Sequence, residues 1–253
     1  MANIASLPVL LKELKLASFS KHWEDLAQKA LDEQWLSQTY LAALCEQEAA
    51  ERYQKRLHRF TREAQLPPGK HLSQFDFTAV SNINKNQITA LTQQRQWVKQ
   101  AENLLLFGAS GVGKTHLACG LGYALIDQAI RVKFTSATAI VQSLQQAREG
   151  LSLAEALTRL DKYAVLIVDD IGYVKKSSQE TQVLFELIAH RYETGSLIIT
   201  SNQPFSAWDQ IFDDNMMTVA AIDRLVHHAT ILEVKGESYR KKVSMKRREH
   251  IEN

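Results

Sequence analysis

Apolar residues recur along this chain in two rhythms, and the change of rhythm divides it. Over residues 5–65 they fall three and four apart, as on one face of a helix. Leu7, Leu10, Leu11 and Leu14 make one stripe, and Phe19, Trp23, Leu26 and Ala30 another. A third, longer helix is predicted from about Ser37 to Ala64, with Tyr53, Leu57, Phe60 and Ala64 as its apolar stripe. Leu66-Pro67-Pro68-Gly69 then stops it, because proline lacks the amide proton a helix needs. A small all-helical N-terminal domain is therefore expected over 1–66, followed by a linker at 67–74.

Beyond the linker, apolar runs of about five residues alternate with amphipathic stretches, the signature of repeated βαβ units. The runs are Asn103 to Phe107, Val132 to Thr135, Val165 to Asp169, Leu197 to Thr200 and Ile231 to Val234. Helices are predicted near Thr115 to Asp127, Thr138 to Arg148, Leu153 to Asp161, Gln179 to Tyr192 and Val219 to Ala229. Strands this apolar are buried on both sides. The fold class expected for 75–235 is α/β, a five-stranded, mainly parallel sheet covered on both faces, with ligands at the C-terminal strand ends.

Composition narrows the class further. In 253 residues, 45% hydrophobic and 23% charged, there is enough apolar material for a sizeable core, which excludes a disordered chain. Two cysteines, Cys45 and Cys119, have no ligand spacing, so neither a disulfide framework nor a zinc cluster is expected. No 18-residue apolar span occurs, and Lys12 and Glu13 interrupt the leading apolar run; a cytoplasmic address and no membrane partner are expected. The net charge of +2 hides an uneven distribution. Arg52, Lys55, Arg56, Arg59, Arg62 and Lys70 face only Glu63 over 52–70, and a basic tail at 236–253 carries Arg240, Lys241, Lys242, Lys246, Arg247 and Arg248. Such segments suit a polyanion such as DNA, whose condensed counterions each cation displaces, or they are solvated surface; charge alone leaves both open.

One motif carries specific chemistry. Gly108-Ala109-Ser110-Gly111-Val112-Gly113-Lys114-Thr115 fits GxxxxGKT in full, directly after a predicted strand and opening a predicted helix. Its glycines let backbone amides curl around phosphate, Lys114 reaches the outer phosphates, and the Thr115 hydroxyl suits Mg²⁺. A second Mg²⁺ anchor is expected at Asp169, which ends Val165-Leu166-Ile167-Val168; the adjacent Asp170 is placed to orient or deprotonate a water. Ile198-Ile199-Thr200-Ser201-Asn202 delivers an amide to the same sheet edge, where Asn202 suits a water or a γ-phosphate oxygen.

GASGVGKTHLA, VLIVDDIGY, LIITSNQPFSAW, AAIDRLVHHA and KGESYR, in that order, closely resemble the IstB-like transposition helper ATPases, relatives of DnaC-type helicase loaders within the AAA+ class. The resemblance runs from about Phe75 to Arg240. It implies ATP and Mg²⁺ as cofactors, Gly108 to Thr115 as Walker A with His116 adjoining, and Asp169 and Asp170 as Walker B. It also implies Asn202 as sensor, Arg224 as arginine finger, and adenine contact by Gln74 to Val80, including Phe75 and Phe77. The implied function is a DNA-binding ATPase that forms homo-oligomers with ATP, selects or remodels target DNA and activates a transposase. A helicase loader and a nucleotide-controlled interaction switch are the alternatives. Two departures stand out. Many AAA+ enzymes have Glu where this chain has Asp170, one methylene shorter. After Val234 only 19 residues remain, so no C-terminal helical lid is expected.

Other candidates read differently. Phe75 and Phe77 are equally suited to anchoring a core. Arg191 is the reserve finger, and an Asp223–Arg224 surface pair is the bland reading of the first choice. His227-His228 is read as packing or surface, since adjacent helical side chains diverge and no third ligand is evident. Trp23, Trp35, Trp97 and Trp208 are expected in the core.

Overall fold

The computed structural model describes residues 4–173, 178–211 and 215–239. The chain divides into two compact units, which meet at Arg59 and Phe60. The first holds α1 (Leu7–Glu13), α2 (Ala17–Asp32) and most of α3 (Ser37–Ala64). Leu16 precedes α2 and has no side chain able to cap it. The caps come instead from Glu48 of α3, whose carboxylate accepts the amides of Ser18 at 2.8 Å and Phe19 at 3.4 Å. Arg52 donates to the same carboxylate through Nε at 2.6 Å and to the Lys15 carbonyl at 2.9 Å. Burial pushes the Glu48 carboxyl up, but these hydrogen bonds and the Arg52 charge outweigh it and leave it below the ordinary carboxylate value.

This unit has a thin core. Of the predicted stripe only Leu11 is buried, while Leu10 and Leu14 are exposed. Trp23 and Trp35 are half-buried, contrary to expectation, because three helices leave too little interior to enclose them. Trp97 and Trp208 are buried as expected.

The expected boundary at Leu66 moves back into α3. Phe60 and Ala64 are buried in the core of the second unit, where Arg131 pairs with Glu63 at 2.8 Å and lies over the Phe60 ring at 5.3 Å. The proline pair ends the helix, but side-chain packing sets the domain edge.

The second unit contains α4 (Lys85–Gln93), α5 (Gln96–Lys99), β1 (Asn103–Phe107), α6 (Lys114–Asp127), β2 (Val132–Ser136), α7 (Ala137–Glu149) and α8 (Leu153–Leu160). It continues with β3 (Val165–Asp169), α9 (Ser178–Arg191), β4 (Ser196–Ser201), α10 (Asn215–Val226) and β5 (Ala229–Glu233). All five strands pair in parallel, in the order β2-β3-β4-β1-β5. Alternation splits their side chains between two cores. Leu104, Leu106, Val165, Ile167 and Ile198 pack with α4 and α6 on one face. Leu105, Phe107, Leu166, Val168, Leu197 and Ile199 pack with α7, α8, α9 and α10 on the other. α10 stops three residues short of its predicted end. Asn103 bonds the Leu225 and His228 carbonyls, so the chain turns at His227 and His228 into β5.

Arg191 is a structural residue, not a reserve finger. It is 2% exposed and donates to the carbonyls of Tyr163 at 3.0 Å, Ala164 at 3.1 Å and Ser196 at 3.1 Å, tying the end of α9 to the starts of β3 and β4. Burial lowers its pKa below the ordinary arginine value, with the Asp161 charge opposing.

Two outcomes follow from these buried charges. Arg191→Met removes the side-chain donor shared by three carbonyls, and urea unfolding should show a loss of about 3 kcal/mol or more. Glu48 has a folded pKa below its unfolded value, so its contribution is fully present above the unfolded value, near pH 4.5, and is lost as pH falls through the folded one. Helicity followed during acid titration should fall earlier in the parent than neutral-pH stability alone predicts. Glu48→Gln should be less stable at pH 7 and nearly flat across that acid window.

Candidate functional site

The site gathers at the C-terminal ends of β1, β3 and β4. From Phe107 the chain enters Gly108–Gly113, and α6 starts at Lys114. Gly113 caps α6 at φ 106°, and a Cβ there would approach the Phe75 ring to 2.8 Å. Gly108 has φ 149°, and a Cβ on it would strike the Val234 carbonyl. Only glycine meets both demands. No side chain caps α6, and the positive end of its dipole faces the loop, which is the fit expected of a phosphate cradle. Lys114 is 5% exposed and donates to the carbonyls of Gly108 at 2.9 Å and Ala109 at 3.0 Å, its ammonium held inside the loop.

Beneath the loop, the Thr115 hydroxyl donates to Asp169 Oδ2 at 3.1 Å. Asp169 Oδ1 accepts the Thr200 hydroxyl at 2.7 Å, and Thr200 Oγ1 in turn accepts the Asp170 amide at 2.8 Å. Thr115 and Asp169 form an oxygen pair of the kind a hard cation such as Mg²⁺ takes. Thr200 is the member that sequence reasoning passed over. Its signal is a hydroxyl inside the otherwise apolar, fully buried run Leu197-Ile198-Ile199, which requires a partner. Asp170 sits at φ 61°, a left-handed conformation that Asp tolerates and that the Thr200 bond supports. Asn202 packs against Gly172, where any Cβ would strike its Oδ1. That buried oxygen has no hydrogen-bond partner.

The residues expected near adenine come together. Phe75 meets Phe77 edge-on at 4.8 Å and His116 at 5.3 Å, and His116 Nε2 lies 2.9 Å from the His71 carbonyl oxygen. Both phenylalanines are half-buried against the core beside a cavity of about 200 Å³ lined by Leu72, Ser73, Lys85, Ile88 and Thr89 as well. After β5, Val234 donates to the Phe107 carbonyl at 2.6 Å and Tyr239 to the Gly111 carbonyl at 3.0 Å, so this segment straps the phosphate loop.

Arg224 is not brought to that loop. It donates to Ala220 on its own helix at 3.0 Å and lies over Phe185 at 5.2 Å. The bond from Asn103 to Leu225 places this end of α10 at the start of β1, and the loop follows the strand's other end. Around it opens a cleft of about 580 Å³ lined by Tyr192, Met216, Val219, Ala220 and Asp223, with Met216 81% exposed.

Of the basic stripe, Arg52 and Lys55 are engaged locally, the latter with Glu51 at 3.3 Å; Arg56, Arg59 and Arg62 are exposed. Arg240, Lys241, Lys242, Arg247 and Arg248 lie outside the described residues, as does most of the stretch where no lid is expected. His227 and His228 are exposed in a turn rather than on a helix, so the divergence argument lapses. A third group, Glu193, stands with them, contrary to the sequence reading.

The family model for IstB-like ATP binding proteins matches residues 9–247. The chain belongs to the IstB-like ATP-binding family. An insertion sequence ATP-binding protein of Sinorhizobium fredii is 47% identical over 97% of this chain and 83% of its own length. The IS21 insertion sequence ATP-binding protein of Pseudomonas aeruginosa is 38% identical over 95% and 90%. AMPPCP-bound DnaA from Aquifex aeolicus, 17% identical, shares the fold with a TM-score of 0.53 over 74% of this chain and 56% of its own. The IstB-like chain thus has the AAA+ fold, as its motifs implied. Among the described residues no helix is long and apolar enough to cross a membrane.

Removing the hydroxyl that joins Asp169 to Asp170 should cost stability as well as order. Thr200→Val keeps the shape but removes the bond from the Asp170 amide and the bond to Asp169 Oδ1. Denaturant unfolding should show a loss of about 1–3 kcal/mol, and an unchanged midpoint would mean that the Thr200 bonds contribute nothing.

Proposed function

We propose that this chain is an ATP-hydrolysing helper of transposition, which assembles on DNA as a homo-oligomer with ATP and Mg²⁺ and activates a transposase. The observation that carries the reading is the hydrogen-bonded line Thr115–Asp169–Thr200–Asp170 beneath a glycine loop that a side chain would block. The names of the relatives favour the insertion-sequence role over helicase loading.

In this reading the loop amides and Lys114 bind the phosphates, and the ammonium exchanges two loop carbonyls for phosphate oxygens. Mg²⁺, when bound, neutralises charge on the β- and γ-oxygens, and Thr115 and Asp169 hold it. Asp170 orients the attacking water and accepts its proton; its shorter reach is offset by a backbone fixed in the left-handed region. Asn202 presents its amide to the γ-phosphate. Phe75, Phe77 and His116 flank the base. Arg224 serves a neighbouring subunit, because its own loop lies at the other end of β1. The exposed Met216 and Val219 beside it supply apolar surface for that subunit contact.

Three substitutions separate binding, chemistry and assembly. Lys114→Ala should abolish tight ATP binding by calorimetry, and Asp170→Asn should bind ATP while phosphate release falls at least tenfold. Arg224→Ala should bind ATP yet hydrolyse it poorly. Mixed with Lys114→Ala protein it should regain part of its activity, because some interfaces then pair an intact loop with an intact arginine. Co-assembled mixtures with no recovered hydrolysis would exclude action in trans.

DNA binding should be weakly sequence-dependent and steeply salt-dependent, because the contacts expected are to backbone phosphates. Neutralising Arg56, Arg59 and Arg62 together should reduce the slope of log affinity against log salt by about 2 to 3, at about 0.9 per phosphate contact on duplex DNA. An unchanged slope would remove this stripe from the interface.

A further inference from the structure

At the edge of the second unit, the turn after α9 and the turn between α10 and β5 bring Glu193, His227 and His228 together. One ligand atom from each lies within 4.8 Å of the others. The imidazole centroids are 4.0 Å apart, with planes tilted by 50°. Among the described residues this is the one group of three such side chains so placed. We infer that Glu193, His227 and His228 form a binding site for a divalent first-row transition ion, with Zn²⁺ as the ion they suit best.

The donor set argues for that class. Imidazole nitrogen with one carboxylate suits Zn²⁺, whereas Mg²⁺ and Ca²⁺ take oxygen. Four ligands at about 2.0–2.1 Å from a tetrahedral Zn²⁺ stand about 3.3 Å apart. The side chains therefore close by rotamer adjustment, which their exposure permits.

The supporting groups are present too. Tyr192 Oη lies 2.8 Å from His227 Nδ1. With the proton on Nδ1 donated to that oxygen, Nε2 is left with its lone pair for the ion, the arrangement in which an outer partner fixes a ligating imidazole. The backbones are also held. Asn103 donates to the His228 carbonyl at 2.7 Å, His227 to Asp223 at 3.0 Å and Tyr192 to Ile188 at 3.0 Å. Three protein ligands leave a fourth position to water. The ion would pin the end of α9 to the turn three residues beyond Arg224.

The test uses the full chain carrying Cys45→Ser, which removes the exposed thiol as a competing ligand. After chelator dialysis, ZnCl₂ is titrated calorimetrically in excess Mg²⁺. One equivalent should bind, and His227→Ala/His228→Ala should weaken that binding at least tenfold. Glu193→Gln, an exposed near-isosteric change, should also weaken it, and Tyr192→Phe should weaken it about tenfold with all three ligands intact. Circular dichroism should show the variants folded, since the altered ligands touch no core. Absence of Zn²⁺ binding by the parent would overturn the assignment. So would equal binding by the double histidine variant or by Glu193→Gln.

Discussion

The Asp169 carboxylate is the point at which two strands and a helix are tied into one arrangement. It ends β3, takes a hydroxyl from Thr115 at the start of α6 and another from Thr200 on β4, and leaves no freedom for either side chain. Because Thr200 also accepts the Asp170 amide, the backbone at the strand end is fixed in a conformation it would otherwise avoid. Thr200 is fully buried in an apolar sheet, so its hydroxyl must be paired, and the partly exposed Asp169 and Asp170 supply the partners. The same bonds align the Thr115 and Thr200 hydroxyls and the Asp169 carboxylate along one edge. Here stability and placement of chemistry are one requirement.

That edge exists because of strand order. β1 and β3 are not neighbours; β4 lies between them, and Thr200 spans the gap in side chains. A sheet with β1 beside β3 would have no use for a hydroxyl there. Likewise β5, beside β1, returns the chain to the phosphate loop, where Val234 and Tyr239 bond Phe107 and Gly111. The loop is thus enclosed by Phe75 on one side and by the strap on another, which accounts for glycine at both Gly108 and Gly113.

Much of this was legible in the sequence because the signals were redundant. Five short apolar runs, a full GxxxxGKT and carboxylates after a buried run agree on a parallel sheet with its site at one edge. Strand order was not legible, and with it went the role of Thr200: nothing local says which strand lies between two others. Arg191 misled for a related reason. Its position near the end of a helix suggests an exposed cation, yet the carbonyls of Tyr163 and Ala164, distant in sequence, and of Ser196 enclose it. The short helices α4 and α5 lack a long period. The first unit was overread, since its stripes predict helices correctly but not burial: a stripe is enclosed only if enough partners exist.

The position of Arg224 bears on how the proposed activity would be controlled. A strand of five residues spans about 13 Å, and α10 ends at the start of β1 while the phosphate loop follows its end. A guanidinium lying over Phe185 on α9 cannot swing that far and keep its helix packed. In the proposed reading a single chain holds the loop, the carboxylates and the amide, while Arg224, the cation assigned to meet charge that develops on the γ-phosphate, stands at the far end of β1. Supplying it from a second copy makes hydrolysis depend on association, and an isolated chain would retain its nucleotide. If the protein acts only once assembled, as proposed, placing Arg224 and the phosphate loop at opposite ends of a strand achieves that dependence.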